Sequence, residues 1–206
     1  VAKTALWIAE SQMMKETENI MLINLDFLPL KTNANIVEAN ALRIDWNDVI
    51  PAEELNYIMG NPPFVGGMYM NTSQKGEVKE VFEEVKGVGE FDYVCAWYKL
   101  ACEYIKECKI NVAFVSTNSI CQGEQVTTFW KSLYDRFKVT INFAYTTFEW
   151  DSEANAKAKV HCIIVGFSTY ENTDKKKLYS PNGEIRLVNN ITPYLTDGNI
   201  VFIEAH

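Results

Sequence analysis

The chain has 206 residues, 48% of them hydrophobic and 13% aromatic, which is enough apolar material for one sizeable core. No long unbroken apolar run occurs, and the first residues lack an apolar stretch with a cleavage site, so neither a membrane span nor a secretory leader is expected. A net charge of −8 excludes an overall basic surface, so any contact with nucleic-acid phosphates must be local or lie in another part of the protein. The five cysteines are odd in number and form no C-x-x-C pair, and His161 and His206 are the only histidines. That argues against a disulfide framework and a metal centre, and for a reducing, cytoplasmic setting.

Residues 1–14 carry Leu6, Ile8, Ala9 and Met13 with no Pro or Gly, which predicts a helix. A polar stretch over 15–19 leads to Ile20-Met21-Leu22-Ile23, a run too short to assign. Residues 34–40 predict a short strand with a polar end, and residues 55–60 another; Asp45-Trp46-Asn47-Asp48 and Pro51 mark the connection. Val78, Val81, Phe82 and Val85 recur at helical spacing among charged residues, which predicts a solvated amphipathic helix ended by Gly87 and Gly89. Residues 91–108 predict a helix with Tyr93, Trp97, Leu100 and Tyr104 on one face. A strand at 112–115, a helix at 124–137 and a strand at 139–143 follow. Residues 160–167 are apolar nearly throughout, as in a strand covered on both faces.

Strands that alternate with helices predict an α/β sheet with mostly parallel strands. The last two strands are close in sequence and predict an antiparallel hairpin at one edge. Asp174-Lys175-Lys176-Lys177 and Pro181-Asn182-Gly183 mark a boundary, giving residues 1–170 as the main domain and 171–206 as a short β extension.

Ligands of open α/β sheets bind beyond the carboxyl ends of the strands. Asn61-Pro62-Pro63-Phe64 directly follows a predicted strand and so belongs at that edge. Two prolines fix φ twice and restrict the residues before them, making a stiff turn that presents carbonyl oxygens and the Asn61 amide. This suits the activation of an exocyclic aromatic amine, whose lone pair is delocalised into its ring. The Asn61 side-chain oxygen and the Pro62 carbonyl can accept its N–H bonds and favour a more tetrahedral, nucleophilic nitrogen. Phe64 offers a stacking surface worth about 1–3 kcal/mol against the cost of flipping a base from a duplex.

That turn resembles the catalytic signature of S-adenosylmethionine-dependent amino-methyltransferases acting on adenine N6. Residues 36–42 resemble the family's third motif, with Asn40 where Asp is commoner. Residues 92–98 resemble the helix that closes over the methionine end of the cofactor, and 114–119 with 122–125 the strand and loop that follow. Thr147-Phe148-Glu149-Trp150 resembles the motif whose aromatic packs on the flipped base. Taken together, residues 1–167 resemble the methyltransferase region of large bacterial restriction–modification fusion enzymes (type IIL, MmeI-like).

The resemblance implies a Rossmann-like methyltransferase sheet that lacks its first strands. It implies Asn61, Pro62, Pro63 and Phe64 as catalytic residues, and Phe64 with Phe148 or Trp150, Phe148 being preferred, as base-stacking residues. It also implies Asn40, Ala41, Asn61, Asp92 and Tyr93 as neighbours of S-adenosylmethionine, with double-stranded DNA as the partner and no metal or membrane. The family's glycine-rich first motif and acidic second motif have no counterpart, since no G-x-G-x-x-G occurs. The chain is therefore expected to be a piece truncated at both ends, with 171–206 starting a linker to a target-recognition domain. Alone, it is expected to bind the cofactor weakly or not at all.

Other signals count for less. Glu77-Val78-Lys79 and Glu84-Val85-Lys86 mimic part of a nuclease motif, but on a charged helix. Gly66-Gly67 lacks a following G-K-[ST] and is expected to be a flexible lid, and Trp97 and Tyr104 are expected in the core. Two rival functions remain. Protein glutamine methyltransferases also use an Asn-Pro-Pro turn, but with Tyr where Phe64 stands; a non-catalytic scaffold would not need the turn intact.

Overall fold

The computed structural model describes residues 2–23, 35–150 and 160–202. Its packing divides the chain into one unit up to Ile50 and another from Pro51 onward.

The first unit begins with α1 (Ala2–Met21), which ends seven residues beyond the predicted end at 14, with none of its residues buried. The polar stretch at 15–19 continues the helix because its residues are tolerated on a solvated face, and Thr17 Oγ1 bonds back to the Met13 carbonyl at 2.9 Å. The expected strand at 34–40 does not form over its described residues, 35–40. The chain there turns instead. Asn40 Oδ1 accepts the Leu42 N–H at 2.9 Å, and the Asn40 carbonyl accepts the Arg43 N–H at 2.9 Å. Trp46 Nε1 then donates to the Ala41 carbonyl at 2.8 Å, and Asp45 caps the short turn Trp46–Asp48. An Asx-type turn has displaced strand propensity here.

The second unit is a mixed α/β layer structure. Its strands are β1 (Tyr57–Gly60), β2 (Asn111–Thr117), β3 (Thr140–Trp150), β4 (Val160–Ser168), β5 (Lys176–Tyr179) and β6 (Ile185–Val188). Its helices are α2 (Thr72–Val81), α3 (Cys95–Ile105) and α4 (Gln125–Phe137). The six-stranded sheet has the order β1-β2-β4-β3-β5-β6. β1 pairs with β2, and β3 with β5, in parallel; β4 is antiparallel to both β2 and β3, and β6 to β5. Hence β1, β2, β3 and β5 run one way, and β4 and β6 the other.

The mostly parallel α/β sheet expected from the alternation is present, with one rearrangement. The β3–β4 hairpin is not at the edge, because β4 inserts between β2 and β3; the edge hairpin is β5–β6. Residues 176–188 thereby complete the same sheet, so the boundary drawn at 170/171 does not coincide with a break in it.

An aromatic cluster fills the space between the sheet and α2–α4. Tyr98 stacks on Phe167 at 5.1 Å and meets Phe114, Phe129 and Trp130 edge-on at 5.3–5.8 Å. Phe91 adds edge contacts to Phe82 at 5.0 Å and to Phe129 at 5.7 Å. The two polar handles in this core are satisfied: Tyr98 Oη bonds Ser116 Oγ at 2.7 Å, and Trp130 Nε1 donates to the Ile120 carbonyl at 2.7 Å. The face that α3 buries differs from the predicted one. Cys95, Tyr98, Cys102 and Ile105 point into the core, while Trp97, Leu100 and Tyr104 are half-buried. Both stripes are apolar, and the stripe with two small thiols lets the helix approach the sheet closely around the wedge of Tyr98.

Candidate active site

β1, β2 and β3 point the same way, so their carboxyl ends share one edge of the sheet. Three predicted segments meet that edge. Asn61-Pro62-Pro63-Phe64 leaves the end of β1, Thr117 to Ser119 leaves β2, and Phe148 with Trp150 ends β3. Thr117 is level with Cys162, which is level with Phe148, so the aromatic pair stands at the height of the β2 terminus. Strands lie about 4.8 Å apart, which puts β3 about 14 Å from β1 across the edge.

Within the turn, Pro62 is buried, Phe64 half-buried, and Asn61 and Pro63 exposed. The Asn61 side-chain amide makes no hydrogen bond among the described residues. Phe148 and Trp150 lie 6.3 Å apart with rings tilted by 40°. Phe148 is half-buried and Trp150 is 43% exposed.

The chain after the turn is fastened to the start of α3. The Val65 N–H donates to Asp92 Oδ1 at 3.3 Å, and the Val65 carbonyl accepts the Tyr93 N–H at 2.9 Å. Asp92 Oδ1 also accepts the Val94 N–H at 3.1 Å, and Oδ2 accepts the Thr117 hydroxyl at 2.9 Å. Gly67 packs against the backbone of residues 89–91. A methyl group there would lie 2.7 Å from the Gly89 carbonyl oxygen, so glycine is required by close backbone approach. The turn Gly67–Tyr69 that follows leaves Met68 and Tyr69 more than four-fifths exposed.

Of the residues expected beside a cofactor, Asp92 is 2% exposed with both carboxylate oxygens bonded within the chain. Tyr93 is buried and its hydroxyl donates to Glu77 Oε2. Asn40 and Ala41 lie in the first unit, where both serve the turn at 40–46. Only Asn61 therefore offers an uncommitted polar side chain among these five.

Glu77 was not legible as part of this region. Its sequence neighbours make it a member of a solvated helix, yet it is 5% exposed on α2, and no local signal marks its bond to Tyr93. Nucleophilic thiol chemistry is disfavoured here. Burial, and next the Asp92 carboxylate, push the Cys95 thiol far up, and burial does the same for Cys121. Among the described residues, no three His, Cys, Asp or Glu side chains converge as a metal site, and no helix is long and apolar enough to cross a membrane.

The model for the MmeI DNA-methyltransferase domain matches residues 1–180. The chain belongs to the MmeI DNA-methyltransferase domain family. It is 40% identical, over its whole length, to DNA methyltransferase A of Bacillus subtilis (strain 168), of which it spans 23%. It also resembles the solved type IIL restriction–modification enzyme MmeI in complex with DNA. There the identity is 41% and the TM-score 0.83, over 96% of this chain and 27% of that one. The chain thus corresponds to about a quarter of the relatives it matches, and to the methyltransferase region of an MmeI-like restriction–modification enzyme. Within this MmeI-type domain, the Asn61–Phe64 turn and the Phe148–Trp150 pair share one sheet edge.

Proposed function

We propose that this chain is the catalytic-motif part of a DNA methyltransferase that transfers a methyl group from S-adenosylmethionine to the N6 amine of a flipped adenine, within a restriction–modification enzyme. The observation that carries this reading is the uncommitted amide of Asn61 on a rigid Pro-Pro turn, at the sheet edge where Phe148 and Trp150 also end. S-adenosylmethionine supplies an electrophilic methyl group; the chain's own residues prepare the acceptor. Asn61 Oδ1 and the Pro62 carbonyl accept the two amine hydrogens, which draws the nitrogen lone pair out of conjugation. Phe64 stacks on the extruded base, and Phe148 or Trp150 packs on it from the β3 side. Asn61 is the cofactor-side contact that the unit from Pro51 onward offers. Double-stranded DNA is the partner. An aromatic pair at this edge favours a flat heteroaromatic acceptor over a glutamine side chain.

The test is methyl incorporation by the native enzyme that carries this chain, on DNA and on protein substrates, followed by nucleoside analysis. N6-methyladenine is the expected product. Asn61→Ala is expected to lower kcat by about 100-fold or more, as for loss of one preorganised polar contact. Label in protein glutamine instead, or undiminished turnover by Asn61→Ala, overturns the assignment.

A further inference from the structure

We infer that Asp92 is a positioning residue that clamps the Asn61–Phe64 turn to the sheet edge, and is not a ligand of the cofactor. The inference rests on the methyl-transfer reading given above.

Asp92 ties together segments that are remote in sequence. Its carboxylate accepts from Val65, one residue past Phe64, from Val94 at the start of α3, and from Thr117 at the end of β2. Its own N–H donates to Gln125 Oε1, at the start of α4, at 3.2 Å. Thr117 Oγ1 lies 2.7 Å from Ser119 Oγ, so the hydroxyl that donates to Asp92 accepts from Ser119. A carboxyl group suits this place because its two oxygens can accept several donors at once.

The Val65 peptide is therefore gripped on both sides, its N–H by Asp92 Oδ1 and its carbonyl by the Tyr93 N–H. A third grip acts two residues on, where Gly67 lies against the backbone of Gly89, Glu90 and Phe91. Only Pro62, Pro63 and Phe64 separate the first grip from Asn61, and the two prolines restrict that short stretch. Slack at Val65 is thus passed directly to the Asn61 oxygen and the Pro62 carbonyl. A cofactor hydroxyl, by contrast, would have to displace a donor from a group that is 2% exposed.

Steady-state kinetics of the native enzyme with Asp92→Ala, Asp92→Asn and Gly67→Ala test the inference. Asp92→Ala is expected to lower kcat about 100-fold while the KM for S-adenosylmethionine stays within about threefold, since a misplacement near 1 Å costs that much in rate. Asp92→Asn, which keeps acceptor oxygen but loses the charge, falls between. Gly67→Ala removes no polar group and lowers kcat alone, by lifting the same loop off residues 89–91. A raised KM with kcat regained at saturation marks a cofactor ligand and overturns the inference, as does wild-type kcat in Asp92→Ala. Should Asp92→Ala fail to fold, Asp92→Asn and Gly67→Ala decide between these outcomes.

Amide hydrogen exchange reads the clamp without activity. Val65 and Val94 are expected to exchange faster in Asp92→Asn while the β2–β4 ladder stays protected, and unchanged exchange at both overturns the inference. If the wild-type enzyme labels no DNA, the methyl-transfer reading fails, and the exchange result then decides the clamp by itself.

Discussion

Gly166 in β4 lies beneath the ring of its cross-strand neighbour Phe143. A methyl group at 166 would fall 2.1 Å from Phe143 Cε1, with two more ring carbons within 2.6 Å. The aromatic covers the strand where the glycine leaves room, a pairing used to protect glycines within sheets. Gly166→Ala is expected to cost about 1–3 kcal/mol in denaturant unfolding, as overpacking does, and Phe143→Leu in the same chain to restore most of it. An unchanged midpoint for Gly166→Ala would mean that the ring does not sit on the strand. At this scale the Asn61–Phe64 turn was legible because its geometry is written in four adjacent residues. The role of Asp92 was not, since its side-chain partners Val65 and Thr117 stand 27 and 25 positions away. Glu77 and Tyr93, 16 apart, were hidden for the same reason.

Among the elements, α2 shows how a local signal passed over moves a boundary. Apolar spacing from Val78 onward predicted the helix, yet it starts at Thr72, where Asn71 and Gln74 form a reciprocal capping box. Asn71→Ala is expected to destabilise the protein by about 1 kcal/mol, read from the unfolding midpoint. The end of α4 offers a change of opposite sign. Lys138 closes that helix in the left-handed region at φ 53°, which only glycine adopts without cost. Lys138→Gly is expected to stabilise by about 0.5–1 kcal/mol, and a loss of stability would show that the lysine side chain contributes more than its backbone strain removes. β3 extends well past its predicted end at 143, with irregular register between Ile141 and Phe143 and between Tyr145 and Phe148. Bulges break strict alternation, which is why periodicity alone stopped early. Both apolar stripes of α3 satisfied the helical period, so only the sheet beneath it selected the face of Tyr98.

The whole molecule carries a pH signature set by its core. Burial raises the thiols of Cys95, Cys102 and Cys121 above the ordinary 9.0, and the phenols of Tyr98 and Tyr134 above 10.0. The folded state therefore holds these protons more tightly than the unfolded chain. Their contribution to stability is fully present below the unfolded pKa values and is lost as pH rises beyond them, by up to about 1.4 kcal/mol per pH unit for each fully buried group. Burial raises the Cys162 thiol as well, so Lys176, lowered from 10.5 by burial, acts in the opposite direction as one group against six. The melting temperature is expected to fall steadily from about pH 9 to about pH 11, with tyrosinate absorbance from the buried phenols appearing only on unfolding. A flat profile would contradict the burial of these groups.

The sequence by itself determined the class of sheet, most of the helices and strands from Pro51 onward, and the stiff Pro-Pro turn that carries Asn61. Those features follow from apolar period, proline geometry and residue type within a few positions. The tertiary structure alone decided that β4 lies between β2 and β3, that β5 and β6 form the edge, and which face of α3 is buried. It also decided that Asp92 grips the chain after the turn and that Gly67 and Gly166 make room for neighbours. Each of these depends on groups far apart in the chain, whose hydrogen bonds and contacts exist only once the layers have packed.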